Sequence, residues 1–244
     1  MDWAKAKTIL ILALLVTNLF LLGTYAFIQV KDATQEENLQ TETLALLEAK
    51  NINVNIQLPL KHSKMPVLNV KYDRLDPALL KQQLWGQVPL DENHRSRESI
   101  LQMTEDFINS CRIGGPNVVL DRLEQQGQTT IVTYKNVYEG ILIEDSYIVC
   151  TVENGQVIEL ERYWLKPLEF GRTKKETISA SAALINFISE KKQADSIMVE
   201  DMKMVYWLDS SDYGAETTIS DTAFPAWKIT YNDGQIKYVP AYAE

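Results

Sequence analysis

The sequence predicts an α+β fold carried on an N-terminal transmembrane helix, with an extracytoplasmic region of antiparallel sheets and packed helices in two similar helix-plus-meander units. Three observations predict it. Residues 8–30 contain no charged side chain, and at about 1.5 Å of rise per residue such a helix crosses a hydrocarbon core of about 30 Å. Further on, apolar residues alternate with period two in runs joined by Asn154-Gly155 and Asp233-Gly234, dipeptides that accept the positive φ of hairpin turns. Each of two such groups of strands follows a stretch with apolar residues at helical spacing. A parallel sheet would instead need a helical crossover between successive strands.

The apolar run Thr8 to Val30 is apolar on every face, as a membrane span is and a surface helix is not. Lys5 and Lys7 precede it against the single acid Asp2, and Lys31, Asp32, Glu36 and Glu37 follow, so the positive-inside bias places residues 1–7 in the cytoplasm and the rest outside. A cleaved signal peptide ending near Thr24-Tyr25-Ala26 and a buried core helix are the alternatives. Both fit less well, because a signal peptide has a shorter apolar core and a core helix of this length is not usually apolar on every face. The expected divisions are a tail at 1–7, the span at 8–30, a membrane-proximal helix with short strands at 31–95, and helix-plus-sheet units at 96–170 and 171–244.

After the span, Thr34-Gln-Glu-Glu37 has the form of a capping box, which predicts a helix from there to about Lys50 that continues the axis of the span. Asn51 to Leu58 alternates apolar and polar residues and reads as a strand ended by Pro59, and Val67 to Tyr72 as another. Asp76-Pro77 opens a short helix ending near Trp85-Gly86. In the first unit Ser96 caps a helix with Ile100, Thr104, Phe107, Ile108 and Cys111 on one stripe, stopped at Gly114-Gly115-Pro116. Strands are expected at 118–123, 129–138, 141–153 and 156–165. In the second unit Thr173-Lys-Lys-Glu176 is again a capping box, ahead of Ile178, Ala182, Ile185 and Ile188. Strands at 199–208, 226–231 and 235–242 follow, with an exposed loop at 209–221.

The chain carries 24 Lys and Arg against 33 Asp and Glu, a formal charge of −9, which disfavours nucleic acid or anionic head groups as partners. With 45% hydrophobic residues, 11 Tyr and 5 Trp it has the means to bury a core. Two cysteines, Cys111 and Cys150, are too few for a disulfide-built scaffold; free and paired states both fit a structural role.

Catalytic parts are not legible. His62 and His94 lie in predicted loops without metal-ligand spacing, and Cys111 has no positioned base. No G-x-S-x-G elbow or Gly-rich phosphate loop occurs. Glu139, Glu144 and Asp145 imitate a carboxylate pair, but acids near hairpin ends read as solvent-facing, and Asp209 to Asp212 lacks the spacing of a calcium loop. No catalytic, cofactor or metal residue is assigned, and no enzyme activity is expected. The aromatic set Tyr163, Trp164, Tyr206, Trp207, Trp227, Tyr231, Tyr238 and Tyr242 reads as sheet packing, with Tyr206, Trp207 and Trp227 as candidates for an exterior partner surface. In the span, Asn18 and its neighbour Thr17 are the candidate contacts with another membrane helix.

Met1 to Thr8 with Asn18-Leu19-Phe20-Leu21, then Tyr138-Glu139-Gly140-Ile141-Leu142-Ile143, then Pro225-Ala226-Trp227 with Asp233-Gly234 and the terminal Tyr238 to Tyr242, together resemble the YycI family. Its Pro-Ala-Trp ending also resembles PepSY-like binding modules. The resemblance implies a non-enzymatic, single-pass regulator of the WalK/YycG sensor histidine kinase of Gram-positive bacteria, acting with a YycH-type single-pass protein and restraining the kinase. It carries over no catalytic residue and no cofactor. The residues alone leave two other readings open, an extracytoplasmic ligand-binding sensor and a surface-tethered cell-wall hydrolase.

Overall fold

A computed structural model describes residues 3–59, 64–84, 89–91, 96–189, 196–208 and 220–242. Helix α1 runs from Trp3 to Glu48 as one uninterrupted element of 46 residues, about 70 Å long. Its segment Lys7–Phe27 is long and apolar enough to cross a membrane, and none of it is buried by the rest of the chain. The helix predicted to begin at Thr34 does not begin there: the backbone is already helical through 34–37. No Gly or Pro occurs between Gly23 and Pro59 to interrupt the hydrogen-bond ladder. The helix ends where Asn51 takes φ 60°, a left-handed stop that Asn tolerates.

The last turns of α1 are anchored. Thr43 and Leu47 are buried, and Gln40 Nε2 donates to the Leu58 carbonyl at 3.2 Å. Strand β1 (Ile52–Val54) starts at once but is three residues long rather than the predicted eight. Then come β2 (Leu68–Tyr72) and α2 (Pro77–Leu84), where the Asp76 carboxylate accepts from the Ala78 N–H at 2.8 Å. Helix α3 (Arg97–Ser110) has Ser96 as its N-cap, as predicted. Strands β3 (Val118–Gln126), β4 (Thr129–Tyr138), β5 (Ile141–Glu153) and β6 (Gln156–Tyr163) follow, and β7 (Leu165–Phe170) is a separate strand where the prediction ran on to Leu165. Asn154 at φ 51° and Gly155 at φ 77° make the expected tight turn.

Helix α4 (Ala180–Ser189) starts later than its predicted capping box. Lys175 and Thr177 are used in β-bridges to Met65 and Tyr242, and Ser179 serves as the cap, accepting from Ala182 N at 3.2 Å. Strands β8 (Ile197–Trp207), β9 (Ser220–Tyr231) and β10 (Gln235–Pro240) complete the chain. Ser220 and Asp221 therefore belong to β9; the remainder of the predicted loop, 209–219, lies outside the described residues, as do His62, Trp85, Gly86 and His94.

The fold is α+β with a mostly antiparallel sheet. The ten strands of the described residues join one sheet of order β3-β4-β5-β8-β9-β2-β7, with β6 on β5, β10 on β9 and β1 on β8. Two pairings are parallel, β1 with β8 and β5 with β8 through Leu142↔Val205 and Ile143↔Tyr206. The second follows a long crossover through β6, β7 and α4, the kind of connection a parallel pair requires. One core gathers α4, the end of α1 and β8 to β10 around Leu47, Leu184, Phe187 and Trp227. Another lies under α3 around Ile108, Val132, Tyr134 and Ile148. A third fills the junction with Leu68, Ile143, Leu165 and Tyr206.

Candidate functional site

The sheet breaks its own register at the point where β5 passes from β4 to β8. Lys135 faces Tyr147, yet the next residue, Asn136, faces Ile143. Glu144, Asp145 and Ser146 therefore form a bulge, which re-aims side chains that regular pairing would alternate between faces. Each has a use. Ser146 Oγ accepts from Leu165 N at 2.9 Å while Asn136 Nδ2 donates to Leu165 O at 2.8 Å, fixing the start of β7. Asp145 Oδ2 accepts from Leu208 N at 2.8 Å and fixes the end of β8.

Glu144 turns inward between two lysines. Lys135 Nζ from β4 and Lys228 Nζ from β9 each lie 2.6 Å from Glu144 Oε1, and Lys135 also donates to the Glu144 carbonyl. All three residues are buried. Burial pushes the Glu144 carboxyl up, but the charge of Lys135 and the hydrogen bonds from both lysines more than reverse it, holding it below its ordinary value. Asp145 goes the other way: burial raises it, the Leu208 N–H offsets part, and the neighbouring Glu144 charge adds to the rise. Tyr238 lies against the same carboxylate, its phenol pushed up by burial and by Glu144, and its ring stacks on Trp207 with centroids 5.2 Å apart. Glu144 Oε2 has no hydrogen-bond partner among the described residues.

The cluster binds β4, β5 and β9 together. Both amines are committed to one carboxylate oxygen. A similar strut stands nearby, where Arg162 donates to the Ile113 and Asp73 carbonyls and to the Asp73 carboxylate, with Lys166 on the other carboxylate oxygen at 2.7 Å. The expectation that Glu144 and Asp145 face solvent is overturned; Glu139, at the hairpin end, is exposed. Interruption of the apolar alternation Ile141 to Cys150 by Glu-Asp-Ser was the one available signal of a bulge.

The cysteines are free, Cys111 half-buried and Cys150 buried. Burial raises the Cys111 thiol, and burial followed by the proximity of Cys111 pushes Cys150 up to about 12, so neither is an activated nucleophile. Asp209 to Asp212 lies outside the described residues, and among those described no group of three His, Cys, Asp or Glu is placed to hold a metal ion.

Two of the three aromatics expected on a partner surface are internal. Tyr206 is fully buried and donates to the Pro66 carbonyl at 3.2 Å; Trp227 is buried, its indole N–H donating to Ile178 O at 3.0 Å. Both face cores because the strand register puts them opposite helices or the junction. Trp207 is half-buried against Tyr238. In the span, Thr17 Oγ1 donates to its own helix at Ala13 O, 2.9 Å, and Thr24 does the same to Leu21 O. Asn18 lies in a shallow apolar groove with Ile11, Leu14, Leu15 and Leu22, exposed to whatever surrounds the helix.

A family model described as YycI protein matches residues 30–242. Among solved structures, the Bacillus megaterium YpeB C-terminal domain is similar at 12% identity and a TM-score of 0.37, over 64% of this chain and 65% of that one. No curated protein sequence matches the chain.

Proposed function

Because the chain belongs to the YycI family, we propose that it is a non-enzymatic, membrane-anchored regulatory subunit that binds a WalK/YycG-type sensor histidine kinase together with a YycH-type partner and restrains the kinase. The family match over residues 30–242 carries this reading. The protein is single-pass, with residues 1–7 in the cytoplasm and the sheet outside; the apolar stretch Lys7–Phe27, with no side chain buried by its own chain, supports a lipid-facing span. Regulation passes through contacts within the membrane, where a helix side chain that interacts unequally with two kinase states shifts their populations. Asn18 and, more weakly, Thr17 are the residues of that contact.

The test replaces residues 8–30 with an unrelated span in the full-length protein and measures kinase-dependent transcription. Loss of control with an exterior region of unchanged thermal stability is expected. Control that survives the exchange refutes regulation through the membrane.

A further inference from the structure

We infer that α1 is a rigid shaft whose docking into the core beneath α4 sets the direction in which Asn18 faces inside the bilayer. This rests on the reading of the span as the regulatory contact and adds the means by which the exterior region directs it.

Three observations carry the inference. First, α1 is one helix from Trp3 to Glu48; between Asn18 and Leu47 it contains no Pro, and its single Gly, Gly23, is not part of a Gly/Ser pair and does not interrupt it. Second, its far end has no slack. Thr43 and Leu47 are buried, and Gln40 is tied to Leu58 O. Only Ala49, Lys50 and Asn51 separate the helix from β1, and the Asn51 carbonyl accepts from Ile197 N at 3.1 Å, joining that turn to β8. Third, the two ends are in phase. Asn18 precedes Leu47 by 29 residues, which at about 100° per residue is close to eight full turns, so both lie within roughly 20° of one azimuth. Thr43 falls about 20° to the other side.

The bilayer itself cannot set this direction. A helix apolar on every face has no preferred rotation in hydrocarbon, so the only strong constraint on its azimuth is the exterior anchor. Asn18 is the side chain for which azimuth matters most, since Thr17 and Thr24 are already bonded to their own helix. A shift of the core around Leu47 is therefore felt in the membrane as a turn of Asn18 toward or away from its neighbour.

The experiment inserts one, two, four or seven alanines after Asp32 in the full-length protein in its native membrane and reads kinase-dependent transcription. One and two residues turn the span by about 100° and 200°, whereas four and seven return it to within about 40° of its original azimuth. Control is expected to fall about three- to thirty-fold for one and two, the weight of a single interhelical hydrogen bond in lipid, and to be retained for four and seven. A one-residue insertion that keeps control, or a decline that follows inserted length and not phase, overturns the shaft.

A variant of unchanged length guards against effects of height above the membrane. Lys31→Gly, Asp32→Gly and Ala33→Gly together soften the helix and are expected to abolish control, with the thermal midpoint of the exterior region unchanged; retained control overturns the shaft. The span exchange separates the two ideas. If exchange abolishes control and single insertion does not, the shaft fails and the membrane contact stands. If control survives the exchange, the membrane contact fails and the shaft with it.

Discussion

Lys228 Nζ donates to Glu144 Oε1 at 2.6 Å across 84 residues of sequence. The pair ties β9 to the bulge in β5, and Lys135 completes a bridge from β4, so one carboxylate spans the junction at which β5 and β8 merge into a single sheet. Burying three charges is costly, and the geometry compensates only while all three are present.

Glu144→Gln should therefore destabilise the exterior region by about 3 kcal/mol or more, because two buried ammonium groups lose their counter-charge. The pH dependence follows from the depressed carboxyl. Its stabilisation is present above the unfolded value of about 4.3 and is lost as pH falls through the lower folded value. Urea unfolding of both proteins from neutral to acid pH measures this; a constant gap between the two curves would contradict it.

Asp145→Asn has the opposite expectation. Its folded carboxyl is raised, so ionisation costs stability as pH rises through that value, and the penalty is absent below the unfolded value of about 3.9. The amide oxygen can still accept from Leu208 N. The thermal midpoint should rise by a few degrees at neutral pH and match the parent at the acid end. A lower midpoint at neutral pH would show that the Leu208 contact requires the charge.

Trp227→Ala should cost about 3 to 5 kcal/mol by opening a cavity beneath α4 and orphaning the Ile178 carbonyl. Trp207→Ala removes only a stacked partner of Tyr238, at about 0.5 to 1.5 kcal/mol beyond its area. Equal losses in calorimetry would place Trp207 in a core as well.

Asn18→Leu should reduce control of the kinase by an amount corresponding to about 0.6 to 2 kcal/mol of helix–helix interaction. Thr17→Val should do little, since that hydroxyl is bonded within its own helix. Both leave the exterior region's melting unchanged. A larger effect from Thr17 than from Asn18 would move the contact to the adjacent face.

The sequence by itself determined the local elements of this protein. A charge-free run of membrane length, the Ser96 cap, the period-two runs and the two Asn-Gly and Asp-Gly turns each act over a few residues, and β4 and β5 lie where the pattern put them. Competing local signals were harder: the box at Thr34 lost to an unbroken helix, and that at Thr173 to bridges with Met65 and Tyr242. Only the tertiary structure decided which alternating face is inside. Period two says that neighbours point apart but not which side a helix will cover, so whether Tyr206 and Trp227 pack inside or face a partner stayed open until β8 and β9 were packed. It also decided the parallel join of β5 to β8 and the burial of Glu144, because the counter-charges of Glu144 stand 9 and 84 positions away, and only folding brings such distant charges within hydrogen-bonding reach.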